Sequence, residues 1–154
     1  MNYLVLILAA TTVVFLDVHG LPSLSDLTNY KSWCGVSNTG MIERDPTGGC
    51  CKCSDSEQQC RQCLKPADDL DDACLQHDKC VHCKKTGVPR IHYCECERLI
   101  YTRAKKAHCT TASCIAYRMT VILLFGNYPC ICEKKFFGFT YSTNLSRNFK
   151  TCYD

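Results

Sequence analysis

The sequence predicts a mainly α, disulfide-rich fold: two antiparallel, disulfide-linked helices, a loop-rich N-terminal stretch, and a small β or irregular C-terminal region. Three observations predict it. The chain holds 16 cysteines, an even number, all between Cys34 and Cys152. Such density marks a disulfide framework made in an oxidising compartment, each bridge contributing roughly 2–4 kcal/mol by restricting the unfolded chain. Two stretches, 68–84 and 92–106, read as helices separated by Thr86-Gly87-Val88-Pro89, a connection short enough to make them antiparallel neighbours. Beyond the turn Gly126-Asn127-Tyr128-Pro129, the run Phe136-Phe137-Gly138-Phe139-Thr140-Tyr141 has strand-like composition.

Taken in order, residues 1–20 read as a secretory signal, apolar from Leu4 to Leu16 and ending in Val18-His19-Gly20. No later stretch is long enough to span a bilayer. One secreted, extracellular domain is therefore expected over residues 21–154. Loss of the leader removes Asp17 and no basic residue, so the net charge of +3 rises by one. A mildly basic balance suits an anionic membrane surface and falls far short of a nucleic-acid footprint. Residues 21–32 form a lead-in where Ser25 or Asp26 can start a helical turn. Trp33 to Gly49 is loop, punctuated by glycine, asparagine and proline. Residues 50–63 carry Cys50, Cys51, Cys53, Cys60 and Cys63 with no apolar periodicity, and are expected to be a knotted, cysteine-rich insertion. Cys60-x-x-Cys63 and Cys80-x-x-Cys83 have zinc-like spacing, but in an oxidised chain they read as disulfide halves.

Pro66-Ala67-Asp68-Asp69 opens the first main helix: proline suits a first turn, and acidic residues favour the positive end of the helix dipole. Ile115 to Phe125 fits either a third buried helix or a strand, because a short apolar run does not discriminate. Lys134-Lys135-Phe136-Phe137 reads as a half-buried hairpin in preference to a lipid-docking patch. His82, His92 and His108 read as exposed histidines, and Asn144-Leu145-Ser146 is a glycosylation sequon.

The chemistry centres on Cys74-Leu75-Gln76-His77-Asp78-Lys79-Cys80. On a helix, His77 and Asp78 point about 100° apart and can border one pocket. The first is a candidate proton acceptor, the second a candidate ligand for a hard cation. If Cys80 pairs with Cys96, their Cα atoms lie about 5.5–6 Å apart, and Glu97 comes within reach of His77. A histidine base backed by one carboxylate and flanked by another is the layout of a hydrolase that activates water. If Cys34 is tied to Cys74, the loop Trp33-Cys34-Gly35-Val36-Ser37-Asn38 can offer alternate carbonyls to a cation such as calcium, which takes about six to eight oxygens. Tyr101, Tyr117 and Tyr128 are equal candidates to donate to the Glu97 carboxylate.

At these residues the chain resembles the secreted calcium-dependent phospholipases A2. Residues 66–80 look like that family's active-site helix, and Cys94-Glu95-Cys96-Glu97-Arg98 like the start of the facing helix. Trp33-Cys34-Gly35 is similar to the calcium loop of the bee-venom-type branch. The resemblance implies an N-terminal calcium loop, with Ca2+ bound by Asp78 and the carbonyls of Trp33, Gly35 and Ser37. It implies that His77 is the general base and Glu97 the carboxylate that orients it, and that the Gly35 N–H and calcium stabilise the oxyanion. It implies the disulfides Cys34–Cys74 and Cys80–Cys96. The expected reaction is hydrolysis of the sn-2 ester of a glycerophospholipid at a membrane or micelle interface, giving a fatty acid and a lysophospholipid. Chelation is expected to abolish it, and activity to fall as pH drops through about 6–7.

The chain departs from the family pattern in several places. Glu97 stands where aspartate is usual and Ser37 where a loop glycine is usual, and the spacing from Trp33 to His77 is longer than in the bee-venom type. Ala73 and Arg103 replace both halves of one family bridge. Ser37 and Glu97 favour the alternative, a catalytically inactive relative that binds a receptor or lipid.

Overall fold

A computed structural model of the chain describes residues 29–35, 49–88, 90–136 and 139–153. The expected signal at 1–20, the lead-in helical turn and Ser37 lie outside the described residues. In chain order the elements are β1 (Asn29–Tyr30), β2 (Cys34–Gly35), α1 (Glu57–Cys63), α2 (Asp69–Cys83) and β3 (His92–Tyr93). There follow α3 (Cys94–Lys106), α4 (Ala112–Asn127), β4 (Cys130–Phe136), β5 (Phe139–Ser146) and α5 (Lys150–Tyr153). The described residues are thus mainly helical, with a small mixed sheet.

Local chemistry explains the boundaries. The Asp68 side chain caps α2 by accepting the Asp71 N–H. Asp69, Asp71 and Asp72 then occupy the first turn, where the dipole favours them. The Thr111 hydroxyl caps α4 through the Cys114 N–H, so the apolar run the sequence leaves open is a helix. Residues 50–63 are more regular than expected, since α1 occupies their second half. Its cause is a capping box: Ser56 accepts from the Gln59 N–H while the Gln59 side chain accepts from the Ser56 N–H. Arg61 then grips the Asp72 carboxylate with two N–H groups, at 2.5 and 3.0 Å, and fixes α1 to α2.

The helical stretch expected from His92 begins two residues later. His92 and Tyr93 extend instead as β3, pairing in parallel with Cys130 and Ile131 of β4. β4 and β5 form the antiparallel hairpin, with Phe136 opposite Phe139. The backbone of Asn144 lies in β5, but its side chain falls outside what is described.

α2 and α3 run in opposite directions. The His108 N–H meets Asp69 at one end, Cys80 bonds Cys96 midway, and Lys84 meets Glu95 at the other end. All 16 cysteines are paired. Cys34–Cys74 pins the β1–β2 turn to α2, and Cys94–Cys130 pins the start of α3 to the sheet. Cys50–Cys63, Cys51–Cys60 and Cys53–Cys83 hold the 50–63 segment. The main core gathers Trp33, Leu70, Leu75, Ile100, Tyr117 and Val121 between α2, α3 and α4. Close approach of α4 to α3 depends on Gly126, where a Cβ would lie 3.1 Å from the Tyr101 ring.

Candidate active site

α2 supplies two adjacent buried polar residues, His77 and Asp78, only 6% and 8% exposed. Both line a cavity of about 280 Å³ whose walls also include Trp33, Gly35, Ile100 and Phe125. α3 supplies Glu97, which is fully buried. The His77 Nε2 is 3.6 Å from Glu97 Oε1, and its Nδ1 is 3.8 Å from Asp78 Oδ1. Each face of the imidazole edge therefore meets a carboxylate. The Phe125 ring, from α4, stands edge-on to His77 with centroids 4.8 Å apart and limits its rotation.

Two of the three histidines expected to be exposed are not: His82 is half-buried on α2, and His92 belongs to this site. His92 is not an exposed histidine: its Nδ1–H donates to Glu97 Oε1 at 2.5 Å. β3 pairing and the Cys94–Cys130 bridge place it, and the Tyr128 ring stacks on it at 6.4 Å. None of the three candidate tyrosines takes that role. Tyr117 stacks on Tyr30, Tyr101 packs on Phe149, and the Tyr128 hydroxyl reaches the Arg90 carbonyl. A spacing of five residues from His92 to Glu97 carries no helical signal across a strand–helix junction, so only the pairing of β3 could have revealed it.

The charges are strongly coupled. Burial lowers the pKa of His77, but hydrogen bonding and attraction from Asp78 and Glu97 outweigh it and push the value up to about 9. Burial raises the Glu97 carboxyl, yet His77 and His92 hold it below the ordinary glutamate value. Without a cation beside Asp78, this imidazole keeps its proton to higher pH than an isolated histidine does, which moves the expected loss of activity above the range of about 6–7.

The β1–β2 turn reaches the site because Asp71 of α2 binds it. Asp71 accepts the N–H groups of Trp33 at 2.8 Å and Ala67 at 2.9 Å, with Cys34 and Ser32 at 3.3 and 3.4 Å. The Trp33 indole N–H bonds the Leu64 carbonyl, anchoring the turn from the far side. Gly35 follows with φ of 129°, a conformation open to glycine. Trp33, Gly35 and Asp78 thus share one cavity wall. A carboxylate beside loop backbone is an oxygen donor set of the kind calcium takes. Of the expected ligands, Ser37 lies outside the described residues.

No protein-family model, curated protein or solved structure matches this chain.

Proposed function

We propose that this chain is a secreted, calcium-dependent phospholipase A2. The observation that carries the reading is His77 on a cavity wall, its Nε2 turned to buried Glu97 and its Nδ1 beside Asp78. With Nε2 facing Glu97 at 3.6 Å, Nδ1 is the atom that takes a proton from water. The water oxygen adds to the sn-2 ester carbonyl, and the imidazolium returns its proton to the departing lysophospholipid alkoxide. Glu97 stabilises the imidazolium while it exists, and His92 holds that carboxylate in place. Calcium, when bound, would polarise the ester carbonyl and offset the charge on its oxygen. Asp78 and the carbonyls of Trp33, Gly35 and Ser37 would hold it, and the Gly35 N–H would share the oxyanion.

The surroundings suit a lipid substrate. Ile100, Tyr117, Val121, Leu124 and Phe125 give the cavity apolar walls. On α4, Met119, Leu123 and Leu124 are more than half or about half exposed, at 57%, 65% and 50%, and Leu124 reaches the cavity. The only charge on that helix, Arg118, donates to the Ala107 carbonyl. No helix among the described residues is long and apolar enough to cross a membrane, so contact with lipid would be peripheral. The disulfide framework is typical of extracellular chains.

The test is fatty-acid release from mixed phospholipid micelles with calcium or with chelator. Calcium-dependent release is expected; release that persists in chelator would exclude the calcium mechanism. No release from the folded chain would favour the non-catalytic, receptor-binding alternative. A second expectation concerns α4. Burying one leucine contributes about 1.5–3 kcal/mol, so Leu123→Glu should cut hydrolysis of vesicles by about 10- to 100-fold. Hydrolysis of a short-chain monomeric ester should be unchanged. An equal loss on both substrates would place Leu123 in folding instead of lipid contact.

A further inference from the structure

We propose that His77, His92 and Glu97 form a binding site for a zinc-class transition-metal ion, separate from the oxygen donors around Asp78. One donor atom from each lies within 4.8 Å of the others. Glu97 Oε1 sits between the two rings, 3.6 Å from His77 Nε2 and 2.5 Å from His92 Nδ1. A tetrahedral zinc ion with bonds of about 2.0–2.2 Å sets neighbouring ligand atoms roughly 3.3–3.5 Å apart. The His77–Glu97 separation already fits, so the main adjustment is a small opening of the His92–Glu97 contact.

Two further observations point to a ligand. His77 Nε2 and the second Glu97 oxygen, Oε2, are buried and have no hydrogen-bond partner. Buried polar atoms are usually satisfied, and coordination would satisfy these two. The side chains of His77 and Glu97 are 8% and 0% exposed, whereas that of His92 is 25% exposed and marks the entry side. Two imidazoles and one carboxylate suit zinc, with a fourth position left for water, and do not suit calcium. Among the described residues, the other clusters of potential ligands, Cys94/Cys132/Cys152 and Cys51/Asp55/Cys60, have their thiols consumed in disulfides and do not compete.

Binding exchanges the His92 Nδ1 proton for the metal and releases it to solvent, along with any proton on His77 Nε2. It also draws Glu97 away from its support of His77. Under the reading above, zinc is therefore an inhibitor that calcium does not displace. The binding itself does not depend on that reading.

The experiment is calorimetric titration of zinc chloride into the disulfide-intact chain in saturating calcium. Wild type, His92→Asn and, as a control, His108→Asn are compared. One zinc per chain is expected, with affinity at least tenfold weaker in His92→Asn and unchanged in His108→Asn. Absence of a saturable site, or full affinity in His92→Asn, would overturn the proposal. Cobalt titration of wild type gives a readout that needs no variant. Intense visible absorption of a four-coordinate ion is expected; a pale octahedral spectrum counts against the site. Each of these outcomes is independent of whether the chain hydrolyses phospholipid.

Discussion

His77→Gln is expected to lower calcium-dependent fatty-acid release by about 10²–10⁴-fold, the usual contribution of a positioned general base. Glutamine fits the space and keeps hydrogen-bonding capacity beside Glu97, but it cannot accept a proton from water at neutral pH. Because Asp78 and the β1–β2 turn are untouched, calcium affinity measured by calorimetry should change little. That pairing of results separates a lost base from a lost metal site. Loss of both would mean that His77 supports the fold around Asp78, as its burial allows. Activity within threefold of wild type would exclude His77 as the base. Glu97→Gln should cost less than His77→Gln, since it leaves the base and removes only the charge behind it.

The residues the sequence makes legible are those whose neighbours are close along the chain. The proline-led start, the acidic first turn of α2 and the run to Cys83 follow from local propensity, and the structure places the helix within a residue of expectation. The two bridges that set the site, Cys34–Cys74 and Cys80–Cys96, are expected from the resemblance to the phospholipases, and both are formed. α1 is missed by the sequence reading: its capping box, Ser56 and Gln59, is a local signal, but the density of cysteines around it hides a short helix without an apolar face. His92 was not legible. Its place is set by hydrogen bonds to β4, nearly forty residues later, and no local pattern encodes a parallel two-residue strand. His92 also bears on the main departure at the site. Under the proposed phospholipase reading Glu97 is one methylene longer than the aspartate usual at its place, and it receives an anchor from His92 that holds its carboxylate 3.6 Å from His77. The longer side chain and the second histidine belong to one arrangement.

Asp71→Ala is expected to be the most destabilising single substitution near the site. Asp71 has no exposed surface, and its carboxylate collects four backbone N–H groups from two segments far apart in sequence. Burial holds its carboxyl above the ordinary aspartate value, and those N–H donors offset only part of that rise. The bonds to Trp33 and Ala67 are the short ones; at about 1.5–3 kcal/mol for each hydrogen bond to a charged group, their loss amounts to about 3–6 kcal/mol. Alanine also strands the donors, and the Cys34–Cys74 bridge keeps the turn tethered where water reaches them poorly. Asp71→Asn should fall between wild type and alanine. Its carbonyl can still accept from one pair of N–H groups, while its NH₂ faces the other pair donor to donor. Urea denaturation monitored by far-UV circular dichroism measures both. The order wild type, asparagine, alanine, with alanine losing more than 2 kcal/mol, assigns Asp71 the task of docking the β1–β2 turn on α2. If both variants unfold within about 1 kcal/mol of wild type, the disulfide alone positions that turn. Calcium affinity then discriminates further: a turn freed from Asp71 carries Trp33 and Gly35 away from Asp78, so affinity should fall in parallel with stability.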